Sequence, residues 1–488
     1  MHTKLKNGAC FVTEAEKKEL KSSTMKRVMI WLTATFVCSA SVCNAQQGDE
    51  SAMGYPQAEW LRAGDILMHT PGQELFNGVI HPAAGLFEDY FDVDKAAEEH
   101  RGYIEMLQKN GIRVHTVRDI LDEVGIDSLR VLADNELIYD ISGIPDVDAD
   151  ESEAYRQEVL QKMSRGDLIR CILLQPTVKL SKTDNNTGYE AQYIQNPLMN
   201  LYFTRDQSIT TPRGHVICNM NSSQRAPETS IISLCYEHLG LKPILRIEGD
   251  GRLEGGDYIP AGTVSLIGCG MRTNDEGIRQ LMEADAFGHD TVVVVRDHKL
   301  WQMHLDTYFN IIDRNLCTMV SSRLNAQLGE PEFNTCDIWA RKPGTKEYAL
   351  WKQDQPFVEY IRSRGFEIIP IDYDDEMHYA NNFLTIAPRH IMAVGGQSEE
   401  LQRRFADAGV TVEWVPLESL IDGYGAAHCM TQVLQRETTG DTVSAIVSTA
   451  NDANVTDTKA YYLDGRRLQG KPSCADVYID NGIKVVNK

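Results

Sequence analysis

Four short stretches of this 488-residue chain bring together residue types that move protons or form covalent bonds. "NLYFTRD" ends at Asp206, beside Arg205. "EGGD" spans Glu254 to Asp257, "MHLD" holds His304 and Asp306, and "GYGAAHCM" carries Cys429 behind a run of small residues. Taken singly, each most often has a structural role: a surface ion pair, a turn with solvated carboxylates, a hydrogen-bonded core histidine, an inert small thiol. Together they make one chemical sense. A thiol nucleophile, a histidine for proton transfer and several carboxylates, without metal-ligand spacing, suit attack on a carbon that is already cationic. A guanidinium is such a target, planar and charged, with N–H donors that pair with carboxylates in fixed geometry. In "WQMHLDTYFN" the two-residue spacing of His304 and Asp306 predicts a strand that points both side chains into one space.

The elements that must position these residues alternate between strand and helix. "DILMHTPG" from Asp65 reads as a strand ended by a turn, Asp92 to Gly111 as a helix closed by glycine, and "IRVHTV" as the next strand. The alternation returns with a strand over Thr291 to Arg296, a helix over Asp354 to Gly365, a strand over Phe366 to Ile371, mostly strand over Phe383 to Val394, and a helix over Ser398 to Gly409 before "VTVEWVP". The class is α/β. Between about Val117 and Gln192 the period is helical, which predicts a helical insertion.

Bulk properties narrow the partners. A formal charge of −22 and a pI near 5.0 argue against nucleic acid or an anionic membrane surface and favour a small cationic substrate. From Met25 the chain reads as a signal peptide: basic Lys26 and Arg27, an apolar run from Val28 to Val37 too short to span a bilayer, then small residues to Ala45. Residues 1–45 are therefore expected to be a leader with an upstream extension, and the rest to be exported. Of the eleven cysteines, Cys10, Cys38 and Cys43 lie in that leader. The remaining eight form no C-x-x-C pair, so neither a zinc nor a thioredoxin-like site is indicated, and no cofactor or metal is expected.

The order FTRD, R-x-x-E, EGGD, H-x-D and a late Gly/Ala-rich turn into HCM resembles the arginine deiminases of the guanidine-modifying pentein superfamily. The resemblance covers about residues 58 to 437 and includes "NNFLTIAPRHIMAVG" from Asn381. It implies a five-bladed α/β propeller with a helical insertion at about 117–192, and hydrolysis of arginine to citrulline and ammonia through a covalent intermediate on a cysteine. Matched residue by residue, it implies that Asp206 and Asp306 bind the guanidinium and that Cys429 attacks its carbon. His304 would transfer protons, Glu254 would accept hydrogens from guanidinium or imidazole, and Arg225 in "RAPE" and Arg272 in "GMRT" would hold a substrate carboxylate. One departure stands out. Arginine deiminases often carry an arginine in the turn before the nucleophile, where this chain has Tyr424 and His428. The alternatives are another guanidine substrate (agmatine, a methylarginine or peptidyl arginine) or an exported binding protein without catalysis. Residues 438–459 read as a polar linker, and 460–488 resemble a C-terminal sorting tail. Oligomeric state is left open.

Overall fold

The computed structural model describes residues 53–438 except 145, 186, 300 and 301, together with the strands Ala460–Tyr462, Val477–Asp480 and Ile483–Val486. One unit recurs: an antiparallel hairpin, a helix, and a strand returning parallel to the second hairpin strand. Parallel neighbours need a crossover, and the helix supplies it. One module pairs Ser208–Thr211 with Gly214–Ile217 and returns through Glu228–His238 to Leu245–Arg246. The next pairs Tyr258–Pro260 with Val264–Cys269 and returns through Asp275–Glu283 to Thr291–Arg296. A further one joins Phe309–Asp313, Leu316–Val320 and, beyond the helix Phe357–Ser363, Glu367–Ile371. Another joins Leu384–Ala387, His390–Val394 and, beyond Glu399–Asp407, Thr411–Val415. The remaining module is split along the chain. Its strand Ala63–Met68 runs parallel to Arg113–Thr116 across the helix Val93–Lys109, and its outer partner is Gln432–Glu437, from the far end of the domain. The described residues thus contain five ββαβ modules, the number of repeats that the resemblance implies.

Local chemistry explains the elements. In Val93–Lys109, Asp92 caps the helix by accepting from Lys95 N at 2.9 Å, and Ala96, His100, Tyr103, Ile104 and Leu107 recur at helical spacing on its buried face. Full burial of an apolar side chain of this size contributes about 1.5–3 kcal/mol. The helix stops at Asn110 and Gly111, the latter at φ +76°.

Three expectations are corrected. His304 and Asp306 do not share a strand: His304 is extended, Leu305–Thr307 form a 3-10 turn, and the strand begins at Phe309. The turn is held because Leu305 N donates to Asp257 Oδ1 at 3.0 Å and Thr307 Oγ1 donates to His304 O at 2.7 Å. The insertion is not wholly helical. Its four helices, Val117–Glu123, Ile126–Glu136, Ala149–Lys162 and Arg165–Leu174, are joined by a sheet of Ile138–Asp140, Pro176–Lys182 and Tyr189–Gln195. The last of these strands is exposed throughout, so no in–out alternation marks it. The helix expected from Asp354 begins at Phe357, because Tyr348–Pro356 first pairs with Thr335–Arg341.

The expected leader at 1–45 and nearly all of the linker at 438–459 lie outside the described residues. The three tail strands pair antiparallel as a small sheet. No helix among the described residues is long and apolar enough to cross a membrane. The seven described cysteines are free thiols, and Cys474 lies outside the described residues.

The modules share one more feature. Asp206, Asp257, Asp306, Asn382 and Cys429 each stand just ahead of the first strand of their module. Equivalent positions in repeated units can converge, and direct contacts among Asp306, Asn382 and Cys429 show that these three do.

Candidate active site

The turn "EGGD" forms the floor of the site. A Cβ on Gly255 would lie 1.9 Å from Arg205 O, and one on Gly256 would lie 2.7 Å from His304 Cγ, so only glycine lets the backbone and the imidazole approach this closely. His304 Nε2 meets Glu254 Oε2 at 2.8 Å, and the other Glu254 oxygen accepts from Asn221 N at 3.0 Å. His304 Nδ1 stands 3.8 Å from Asp206 Oδ1. Burial alone would pull the imidazole down, but Asp206, Glu254 and Asp257 outweigh it and raise His304 to about 9. The ring is an imidazolium at neutral pH. Burial would raise Glu254, yet His304 and Arg272 hold it at about 2, whereas burial pushes Asp257 up to about 7.

Cys429 sits in the turn before the closing strand. Asn382 Oδ1 accepts from the backbone N–H groups of Ala426 at 3.0 Å and Cys429 at 3.1 Å, and Asn382 O accepts from His428 N at 3.0 Å. The turn that bears Cys429 is thus tied to the neighbouring module. A Cβ on Gly425 would lie 2.6 Å from Phe203 Cε1 and 3.1 Å from Cys429 Cβ, which explains the small residues before the thiol. Cys429 Sγ lies 3.6 Å from Asp306 Oδ2, and the same oxygen meets His428 Nδ1 at 2.7 Å. Burial, followed by the charges of Asp306 and Asp206, pushes the thiol well above its ordinary range. Without a cation beside it, Cys429 is a protonated thiol at neutral pH.

The two arginines differ. Arg225 donates from Nη1 to Asp206 Oδ2 at 2.7 Å and from Nε and Nη2 to Glu228, so every guanidinium nitrogen is engaged. Arg272 stands 3.5 Å from Glu254 Oε1, and its Nε has no hydrogen-bond partner. Asp206, Arg225, Arg272, His304 and Cys429 line one small cavity, while Glu254 and Asp306 lie behind it in contact with His304 and Cys429. Every residue singled out from the sequence is therefore in or against this cavity. Arg205, read as a surface partner of Asp206, instead donates from Nε to His428 O at 3.3 Å. Sequence reasoning gave no role to Asn382, His428 or Glu228. Only "NNF" carried a signal, as part of a motif without an assigned task.

Two buried acceptors, Asp206 Oδ1 and Asp306 Oδ1, have no hydrogen-bond partner among the described residues. An orphaned buried carboxylate oxygen is costly, so the pair calls for a ligand that donates. Asp206, Glu254 and His304 each offer an atom within 4.8 Å of the others, a spacing that would also suit a metal ion. A metal there would displace the proton of a strongly held imidazolium and face Arg225 and Arg272. A planar organic cation that hydrogen-bonds to the free oxygens fits the donors better.

A family model described as "Arginine deiminase" matches residues 84–436. Among curated proteins, the arginine deiminase of Halobacterium salinarum is 28% identical over 486 residues, covering 80% of this chain and 98% of that protein. The arginine deiminase of Limosilactobacillus reuteri is 25% identical over 404 residues, covering 76% and 95%. Among solved structures, DDAH from Pseudomonas aeruginosa complexed with citrulline aligns at 18% identity over 76% of this chain and 99% of that chain, with a TM-score of 0.46. The N-terminal domain of ArgZ, an arginine dihydrolase, aligns at 16% identity over 77% and 97%, also with a TM-score of 0.46.

Proposed function

The chain belongs to the arginine deiminase family of hydrolases acting on C–N bonds, and on that premise we propose that it converts L-arginine to citrulline and ammonia through a covalent intermediate on Cys429. The observation that carries the reading is the pair of orphaned carboxylate oxygens around a buried thiol and an imidazolium. Asp206 and Asp306 receive the guanidinium. Its charge, about 4 Å from sulfur at an effective dielectric near 20, is worth roughly 4 kcal/mol. That is about three pKa units, acting against the rise that burial and the two carboxylates impose on the thiol. The substrate therefore makes its own nucleophile: the thiol proton leaves to solvent as the cation binds, and the ammonia released later takes up one proton from solvent.

The thiolate adds to the guanidinium carbon, and the tetrahedral adduct collapses as His304 protonates the departing nitrogen. Ammonia leaves and an S-linked thiouronium remains. Neutral His304 then takes a proton from water, the hydroxide adds to the same carbon, and the C–S bond breaks to release citrulline and the thiol. Glu254 steadies both charge states of the ring. Because His304 must carry its proton when ammonia departs, kcat at saturating arginine, where the bound cation has already ionised the thiol, is expected to fall as pH rises through about 9. The loss is tenfold per pH unit above that point. A profile flat to pH 10 would remove His304 from this role.

The clamp for the substrate carboxylate falls to Arg272, since Arg225 is committed to orienting Asp206. Agmatine, which lacks the carboxylate, would leave Arg272 with only its ion pair to Glu254 at 3.5 Å and a buried, unpartnered Nε, and a buried donor left unmade costs about 1–3 kcal/mol, more for a charged group. Citrulline or carbamoylputrescine formation from arginine and agmatine should therefore favour arginine by about a hundredfold or more in kcat/KM. Arg272→Ala should narrow that gap. Equal use of the two substrates by the wild type would overturn the arginine reading and leave the guanidine chemistry standing.

A further inference from the structure

Resting on the deiminase reading, we propose that the site also takes arginine as the C-terminal residue of a peptide, with the preceding residues lying in an outer cleft. The catalytic cavity does not end at a wall. Leu86, Arg272, Met303 and Tyr424 border both this cavity and a cleft of about 770 Å³. Such a volume lies within the roughly 300–1,000 Å³ that accommodates drug-sized ligands. It far exceeds what the ammonium and carboxylate of a free amino acid fill.

The cleft wall is aromatic and thioether in character, from Phe87, Met271, Tyr373, Met377 and Tyr379. Met271, Tyr373 and Met377 are 41%, 70% and 45% exposed, so apolar surface collects beside a catalytic cavity, as in ligand-binding grooves. Tyr379 OH donates to Glu88 Oε2 at 3.3 Å and ties together two sides of the cleft that are remote in sequence. Its lining carries Glu88, Glu332 and Glu376 against Lys299 and Arg272, with Lys299 paired to Glu332 at 3.5 Å, a slight acidic excess compatible with neutral or basic residues of a peptide.

The mouth between the two spaces treats the ends of arginine differently. Arg225 is fully engaged, which leaves Arg272, with its unpartnered Nε, to receive a carboxylate. Leu86 and Tyr424 also border the mouth, both in left-handed conformation at φ +62° and +68°. Side chains other than glycine persist there only where their surroundings hold them, and such positions cluster at ligand sites. These two place uncharged side chains at the mouth. An acylated nitrogen carries no charge, loses less on leaving water, and continues the chain outward.

The test compares kcat/KM of the full chain for L-arginine, for the tripeptide glycyl-leucyl-arginine and for that tripeptide as its C-terminal amide. The tripeptide should reach at least about a tenth of the arginine value, and the amide should fall about tenfold or more below the acid. Tyr373→Ala should lower the ratio of tripeptide to arginine by about threefold or more. A tripeptide below that tenth, an amide used as well as the acid, or a ratio unmoved by Tyr373→Ala overturns the proposal. If arginine too yields no citrulline, it is the deiminase reading that fails.

Discussion

Replacing Cys429 with serine is expected to abolish citrulline formation, by about 10⁴-fold or more in kcat, while the thermal unfolding curve stays close to that of the wild type. Among the described residues that line the cavity, Cys429 is the one thiol, and on the proposed mechanism it adds to the guanidinium carbon, whereas a hydroxyl in the same surroundings stays protonated even beside a guanidinium. The fold has little reason to respond. The ties that hold the turn run from the backbone N–H groups of Ala426 and Cys429 to Asn382 and do not involve sulfur. Acid-quenched wild-type reactions should carry an added mass on the peptide containing Cys429, matching the thiouronium, and the serine variant should carry none. Appreciable citrulline from the variant would move the nucleophile elsewhere. Since the remaining described cysteines are also free thiols, labelling of any of them in the quenched reaction would have the same consequence.

The same cysteine shows what could be read from residues alone. Its small-residue turn, the two glycines of "EGGD" and the order of the acidic motifs reflect close approach: Gly255, Gly256 and Gly425 are small because a carbonyl, an imidazole and an aromatic ring lie where a Cβ would be. Composition at those positions is dictated by the site, so it was legible. The five modules were legible only as an alternation of strands and helices, because the pairing of Gln432–Glu437 with Ala63–Met68 joins residues at opposite ends of the domain and leaves no local mark. His304 and Asp306 were correctly brought together for the wrong reason. A period of two is shared by strands and by many short turns, and the deciding contact, Leu305 N to Asp257 Oδ1, comes from another module. The contacts of Arg225 were only half legible on similar grounds. Its engagement by Glu228, three residues on, could have been read from "RAPE", but its bond to Asp206 could not. Asn382 acts through its position ahead of a strand, a property of the repeated unit and not of the residue type.

Asp306→Asn should produce two effects of opposite sign, which together test the electrostatic core of the mechanism. The substitution keeps shape and removes one charge. Asp306 Oδ1 is free to accept from the substrate, and a charge-assisted hydrogen bond of this kind contributes about 1.5–3 kcal/mol. With the loss of charge pairing in a buried site, turnover is expected to fall roughly a hundredfold or more. The resting thiol should respond in the other direction. After burial, the Asp306 carboxylate 3.6 Å away is the largest influence holding Cys429 protonated, so its removal should lower the thiol pKa and speed alkylation by iodoacetamide at neutral pH. A misfolded or merely loosened site would also alkylate faster, so the rate should be followed against pH: the expected result is a titration displaced to lower pH with a sharp thermal transition retained. The Asp306 contact to His428 Nδ1 can persist through the asparagine carbonyl, which limits rearrangement of the turn. Slower alkylation together with lost turnover would mean that Asp306 activates the resting thiol. In that case the substrate's own charge would not be the agent that generates the nucleophile.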